Sequence, residues 1–136
     1  MKTSFLDNVA SVLEADSVTM STRFREISGW SSLVGFGLLV MLENDYGTSL
    51  PVERFIALET VRDLYLEAFV TFAARLLGVD RASLSPESAM GTPPEWDSVN
   101  HLRLVMEAEA EFGVSYRLED IPAIKTIRDF SLFANG

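Results

Sequence analysis

EWDSVNHLRLVMEAEAEFG, residues 95–113, is the stretch from which the rest of the chain can be read. After the loop GTPP, Asp97 or Ser98 can cap a new helix with a side-chain oxygen. Val99, Leu102, Val105, Met106 and Phe112 then recur at helical spacing. Gly113 closes the run, being the residue type that best tolerates a left-handed C-terminal turn.

A second copy of this pattern lies upstream, in GWSSLVGFGLLVMLENDYG, residues 29–47. An ungapped shift of sixty-six positions pairs Trp30 with Trp96, Ser32 with Ser98, Leu33 with Val99, Glu43 with Glu109, Tyr46 with Phe112 and Gly47 with Gly113. The register holds further on, pairing Thr60 with Thr126, Val61 with Ile127, Arg62 with Arg128 and Asp63 with Asp129. Such self-similarity reads as an internal duplication, with units at 1–66 and 67–136. A unit of that size buries only roughly 60% of the surface its unfolded chain exposes, so each is expected to gain stability by packing on the other.

Composition narrows the possible functions. Twenty acids against eleven bases give a net charge of -9, and both halves share the excess. Such a surface repels phosphate backbones and anionic lipid and suits basic protein surfaces, so nucleic acid and membranes are not expected as partners. No cysteine is present, which removes disulfides, thiolate metal sites and a protein thiol nucleophile. The opening MKTSFLDNVA has no long apolar core, and the apolar run at 34–42 is too short to span a bilayer. A cytoplasmic location is therefore expected, without membrane insertion.

Taken in order, Ser4 and Asp7 have capping-box spacing ahead of a helix carrying Phe5, Val9, Val12 and Leu13. A loop with apolar Val18, Met20, Phe24 and Ile27 follows and is expected to drape over the core. The next helix contains Gly35 and Gly37, each costing roughly 0.5–1 kcal/mol against alanine, which signals either close approach by another backbone or tolerated weakness. Pro51 suits the start of a short third helix, and Thr60 with Asp63 opens another. From Thr60 to Leu77 neither glycine nor proline interrupts the helical periodicity. One helix of about 27 Å, shared by the two units, is predicted here; the alternative is a kink near Glu67. Gly78 stops it, a Pro- and Ser-bearing loop leads to Glu95, a short turn lies around 118–123, and Thr126 with Asp129 opens the last helix. No strand pattern appears, so the fold class is all-α.

Catalytic constellations are thin. His101 is the one histidine, three residues after Ser98, but a serine nucleophile also needs an orienting group and oxyanion donors, and Gly35 occupies the corresponding place in the first copy. Glu107, Glu109 and Glu111 point to different helix faces and make no metal ligand set with His101. No strand precedes a glycine-rich phosphate loop. Ser98 and Ser32, at the starts of matching helices, remain; as bare residues they could simply be N-caps.

With Trp96, Asp97-Ser98-Val99, the apolar-acidic helix, Glu111-Phe112-Gly113 and the trailing Ile127-Arg128-Asp129-Phe130, the chain resembles acyl carrier proteins and related peptidyl carriers, twice over. The resemblance implies two tandem four-helix bundles and a non-enzymatic carrier. It also implies phosphopantetheine placed on a serine by a separate transferase, with acyl groups carried as thioesters on its thiol. That arm would supply the sulfur that the protein lacks. Carried over by position, Ser98 is the attachment residue with Asp97 before it, and Ser32 is a second candidate, departing from the pattern because Ser31 stands where the aspartate belongs. Implied partners are the transferase and acyl-loading and acyl-processing enzymes with basic docking patches, in fatty-acid, polyketide or related biosynthesis. The face after Ser32 also departs, with Val34, Gly37 and Met41 at positions expected to be polar, and in the second copy Arg103 interrupts the acids. The expectation is that Val34 and Met41 pack on something apolar, either the other unit or a partner. The alternative reading is a helical scaffold or interaction module with one or both serines unmodified.

Overall fold

The computed structural model describes residues 3–136. Among them lie helices α1 (Phe5–Leu13), α2 (Ser32–Tyr46), α3 (Val52–Phe55), α4 (Val61–Leu77), α5 (Ser98–Phe112) and α6 (Ile127–Leu132), with 3-10 turns at Phe24–Glu26, Arg81–Ser83 and Leu118–Ala123. Extended pairing among these residues is confined to isolated bridges, so the all-helical expectation holds for them.

The helix boundaries follow from the residues that stand at them. Ser4 accepts from the Asp7 N–H and opens α1. Thr60 with Asp63 and Thr126 with Asp129 form reciprocal capping boxes at the starts of α4 and α6. Gly47 and Gly113, both at φ 63°, end α2 and α5 in the left-handed turn. Inside α2, a methyl group built on Gly35 would sit 3.1 Å from the Trp30 ring, and one on Gly37 would sit 3.1 Å from Val12. The close approach is therefore by side chains and not, as expected, by another backbone.

Helix α4 runs unbroken through Glu67 for 17 residues. It is buried on nearly every side: Val61, Leu64, Tyr65, Ala68, Phe69 and Ala73 are fully enclosed. Helices α1 and α2 pack on it from the N-terminal half of the chain, and α5 and α6 from the C-terminal half. Glu67, only 3% exposed, receives Arg54 of α3 at 2.9 Å and Arg81 of the following 3-10 turn at 3.3 Å. A buried carboxylate needs such partners. Here they come from opposite sides of the helix in sequence, so the ion pairs tie the two halves together where the kink was the alternative.

Hydrogen bonds recur at the sixty-six-residue offset. Val61 donates to the Thr22 carbonyl as Ile127 does to Ser88, both at 3.0 Å, and Arg62 donates to Met20 as Arg128 does to Pro86, both at 2.8 Å. The bridges Arg23–Thr60 and Ala89–Thr126 keep the same register. The correspondence stops after α6, where Ser115 and Asn135 pair through their backbones while the matching stretch of α4 continues as helix.

One core serves the whole chain. Tyr46 and Phe112, matched in the sequence repeat, stack on each other at 5.3 Å, and Phe112 meets Tyr65 edge-on at 5.0 Å and Phe72 at 5.4 Å. Phe5 of α1 reaches the same cluster, 5.5 Å from Tyr65 and 6.0 Å from Phe112. Val18, Met20 and Phe24 of the long first loop are buried, as the sequence led us to expect. A polar pair is enclosed as well. Trp96, without exposed surface, donates its indole N–H to His101 Nδ1 at 3.1 Å, with the rings stacked. That bond places the imidazole proton on Nε2. Burial pushes the His101 pKa below its ordinary value. Charging the ring would also set a proton on Nδ1 against the Trp96 N–H.

Phe112→Ala is expected to cost about 3–5 kcal/mol, and to weaken the chain as one unit. Urea unfolding followed by far-UV circular dichroism, and by fluorescence of Trp30 and Trp96 in single-tryptophan variants, should give coincident transitions; separate midpoints would contradict the single core. Because the folded pKa of His101 lies below the unfolded value of 6.5, its contribution is fully present above that pH and is lost as pH falls through the folded pKa. Thermal melts of wild type between pH 7.5 and 5 should therefore show a steeper loss than those of His101→Gln, and parallel curves would contradict a buried neutral ring.

Candidate functional site

The residue before each matched serine is the helix cap. Asp97 accepts from the Asn100 N–H at 2.8 Å, and Ser31 accepts from the Val34 N–H at 3.3 Å. A carboxylate makes the shorter, charge-assisted bond, but a hydroxyl fills the same role. Ser98 and Ser32 are therefore the first helical residues and not the caps. Both are exposed, and neither hydroxyl bonds to another described residue.

The caps consume only part of each helix's amino-terminal hydrogen-bonding capacity. In α5 the Asn100 and His101 N–H groups go to Asp97, and in α2 those of Val34 and Gly35 go to Ser31. The N–H groups of Ser98 and Val99, and of Ser32 and Leu33, have no acceptor among the described residues. Two free donors and the positive end of a 15-residue helix thus surround each free hydroxyl. That donor set fits a phosphodiester on either serine.

An apolar stripe flanks each serine. Leu33, Phe36 and Val40 are exposed on α2, with Val52 and Ile56 beside them around α3; Val99, Leu102 and Met106 on α5, with Leu118, form the counterpart. Leu33 reaches 79% exposure, so this is not core packing. The expectation for Val34, Gly37 and Met41 needs correction in register: Val34 is half-buried, Gly37 lies against Val12, and Met41 is 7% exposed. Together with Leu38 and Leu42 they form the inward stripe of a 3.6-residue helix, leaving residues 33, 36 and 40 outward. Arg103 stays on the surface of α5, paired with Glu107 at 3.1 Å.

Each helix also borders a cavity. Beside α2 a volume of about 350 Å³ is lined by Trp30, Ser32, Gly35, Phe36, Phe55 and Arg25, whose terminal guanidinium nitrogens donate to the carbonyls of Phe55 and Leu58. Beside α5 a volume of about 440 Å³ is lined by Met90, His101, Ile121, Pro122, Ile124 and Lys125, together with Ala89. Sequence reasoning did not find either cavity. The available signal was the exchange of Gly35 for His101 at matching positions, which only acquires meaning once the neighbouring turn is packed against the helix.

Ser98 and His101, adjacent on the helix, do not form a nucleophile–base pair: His101 Nδ1 is held by Trp96, and no hydrogen bond joins the ring to Ser98. Among the described residues no group of three or more histidines and carboxylates could hold a metal ion. No helix among them is long and apolar enough to cross a membrane.

Comparison with known proteins agrees with this geometry. Residues 4–66 match the family model described as "Phosphopantetheine attachment site". The chain is 40% identical to the acyl carrier protein of Treponema denticola over 53 residues, 39% of this chain and 68% of that one. It is 33% identical to the acyl carrier protein of Thermosynechococcus vestitus over 71 residues, 52% of this chain and 88% of that one. It is 32% identical to the acyl carrier protein of Micrococcus luteus over 59 residues, 43% of this chain and 73% of that one. With its helical fold, its free serine hydroxyls at helix starts and its match to a site for covalently attached phosphopantetheine, the chain belongs to the acyl carrier protein family.

Proposed function

We propose that this chain is a tandem acyl carrier, with units at 1–66 and 67–136 that share α4, and with Ser32 and Ser98 as its two attachment residues. The observation that carries the reading is the matched pair of exposed serines. Each is the first residue of a 15-residue helix, each follows the residue that caps it, and the hydrogen bonds framing both recur at one offset. The family match at residues 4–66 contains Ser32, and Asp97 before Ser98 follows the family pattern more closely than Ser31 before Ser32.

The chemistry belongs to the arm and to the partner enzymes. On the transferase, serine Oγ attacks the pyrophosphate phosphorus that bears the pantetheine arm of coenzyme A. An Oγ–P bond forms, the P–O–P bond breaks, the adenosine bisphosphate leaves and the hydroxyl proton is lost to a base. The helix then supplies its two free N–H groups to the phosphodiester. The thiol carries acyl groups as thioesters for fatty-acid, polyketide or related biosynthesis. Two arms on one rigid core raise the local concentration of tethered intermediate for a shared partner.

Partners would meet an apolar patch at the serine and acids further along the helix. No charged residue occurs in α2 before Glu43, so Leu33, Phe36 and Val40 form the contact nearest the serine. Glu43 and Asp45, with net charge -9, steer basic surfaces toward it.

Intact mass after incubation with coenzyme A and a broad-specificity transferase tests the reading. Two added phosphopantetheine groups are expected, one lost in Ser32→Ala and the other in Ser98→Ala. A single addition dependent on one serine would make the other half a partner-binding or structural repeat, and no addition would favour a scaffold on the carrier fold.

A further inference from the structure

Trp96 and His101 of the second repeat depart from their counterparts in the first. Trp30 lies against Gly35, 3.1 Å from where a methyl group there would stand, and both line the cavity beside Ser32. Trp96 is instead wholly buried, and the ring of His101 stands where Gly35 would leave the wall bare. His101 is 7% exposed, its Nδ1 is occupied by Trp96, and its Nε2–H has no acceptor among the described residues. That N–H is not sealed in the interior, because no buried polar side-chain atom lacks a partner. The open space beside the ring is the cavity of about 440 Å³. Lys125 borders the same space and makes no ion pair among the described residues. The remaining wall, Ala89, Met90, Ile121, Pro122 and Ile124, is apolar.

A cavity with an apolar wall, one neutral N–H donor and one cation is complementary to a short carbon chain bearing an oxygen acceptor, and leaves a buried donor unpaired when filled by hydrocarbon alone. His101, in its wall, lies three residues on from Ser98, about 4.5 Å along the helix axis at 1.5 Å rise per residue. We propose that this cavity receives the oxygen-bearing end of an acyl group tethered at Ser98, a ketone or carboxylate beyond the thioester, with His101 Nε2–H as hydrogen-bond donor and Lys125 as cation. The proposal rests on attachment at Ser98. His101 is then a specificity-determining residue of the Ser98 half; at the matching place in the other half Gly35 presents no side chain, and the cation of that cavity, Arg25, is committed to backbone carbonyls.

The test uses the full chain carrying Ser32→Ala, loaded at Ser98 by transferase from butyryl-, acetoacetyl- or malonyl-coenzyme A and verified by intact mass. The readouts are the nitrogen-15 signals of His101 Nε2 and Trp96 Nε1, compared with the chain carrying the unacylated arm. The expected result is a shift of both signals with acetoacetyl or malonyl cargo, and none with butyryl, which matches acetoacetyl without the ketone. A shift with acetoacetyl alone assigns a neutral carbonyl; one with malonyl, lost in Lys125→Met, assigns a carboxylate. Lys125→Met leaves the Trp96–His101 pair intact, and His101→Phe, which keeps a ring and removes the donor, should abolish the shift at Trp96 Nε1. Loaded protein whose signals are the same for all three cargoes overturns the proposal and leaves the carrier reading standing. Absence of any mass addition at Ser98 overturns both.

Discussion

Burial of α4 between the two halves of the chain is the constraint on which the remaining structure depends. Tyr65 and Phe69 project from it into an aromatic cluster whose other members, Phe5, Tyr46 and Phe112, come from α1, α2 and α5. No single one of those helices could enclose such rings. A half-chain of this size leaves too much of its apolar surface in water, and sharing one helix gives both halves a larger common interior. Glu67 fits this arrangement as the one buried charge of that helix, held by Arg54 from one side in sequence and Arg81 from the other.

With the interior so filled, the proposed attachment residues stand at the starts of α2 and α5. A helix start offers unpaired N–H groups wherever it is capped by the preceding residue, and the serine that follows is then free to be modified without loss of the cap. Ser31 and Asp97 do the capping, so the hydroxyls of Ser32 and Ser98 make no hydrogen bond among the described residues and stand in solvent. The same helices turn Leu38 and Leu42, or Leu104 and Val105, inward. Their outer faces are consequently apolar by the serine and acidic only later, a combination suited to short-range contact with longer-range steering.

Local signals were legible in the residues wherever local physics decides the outcome. Thr60 with Asp63 and Thr126 with Asp129 announce capping boxes because both bonds close within one turn. Gly47, Gly78 and Gly113 announce helix ends because each adopts a left-handed turn. Register was harder. Val34 and Met41 looked anomalous as a surface pair and are inward residues, because α2 is apolar around most of its circumference and periodicity alone cannot orient such a helix. His101 was legible only as a potential base; its bond to Trp96 depends on how the preceding loop packs.

By itself the amino-acid sequence determined the helical class and the helix limits, since each rests on spacing, capping chemistry or residue identity within a few turns, and its sixty-six-residue offset singled out Ser32 and Ser98 as the candidates. Only the tertiary structure decided that α4 continues through Glu67, that Asp97 and Ser31 are the caps, and that Gly35 and His101 line different cavities. Those outcomes turn on contacts between residues distant in the chain. Arg54 and Arg81 reach one carboxylate, and Tyr46 stacks on Phe112, only after the halves have closed on a common core.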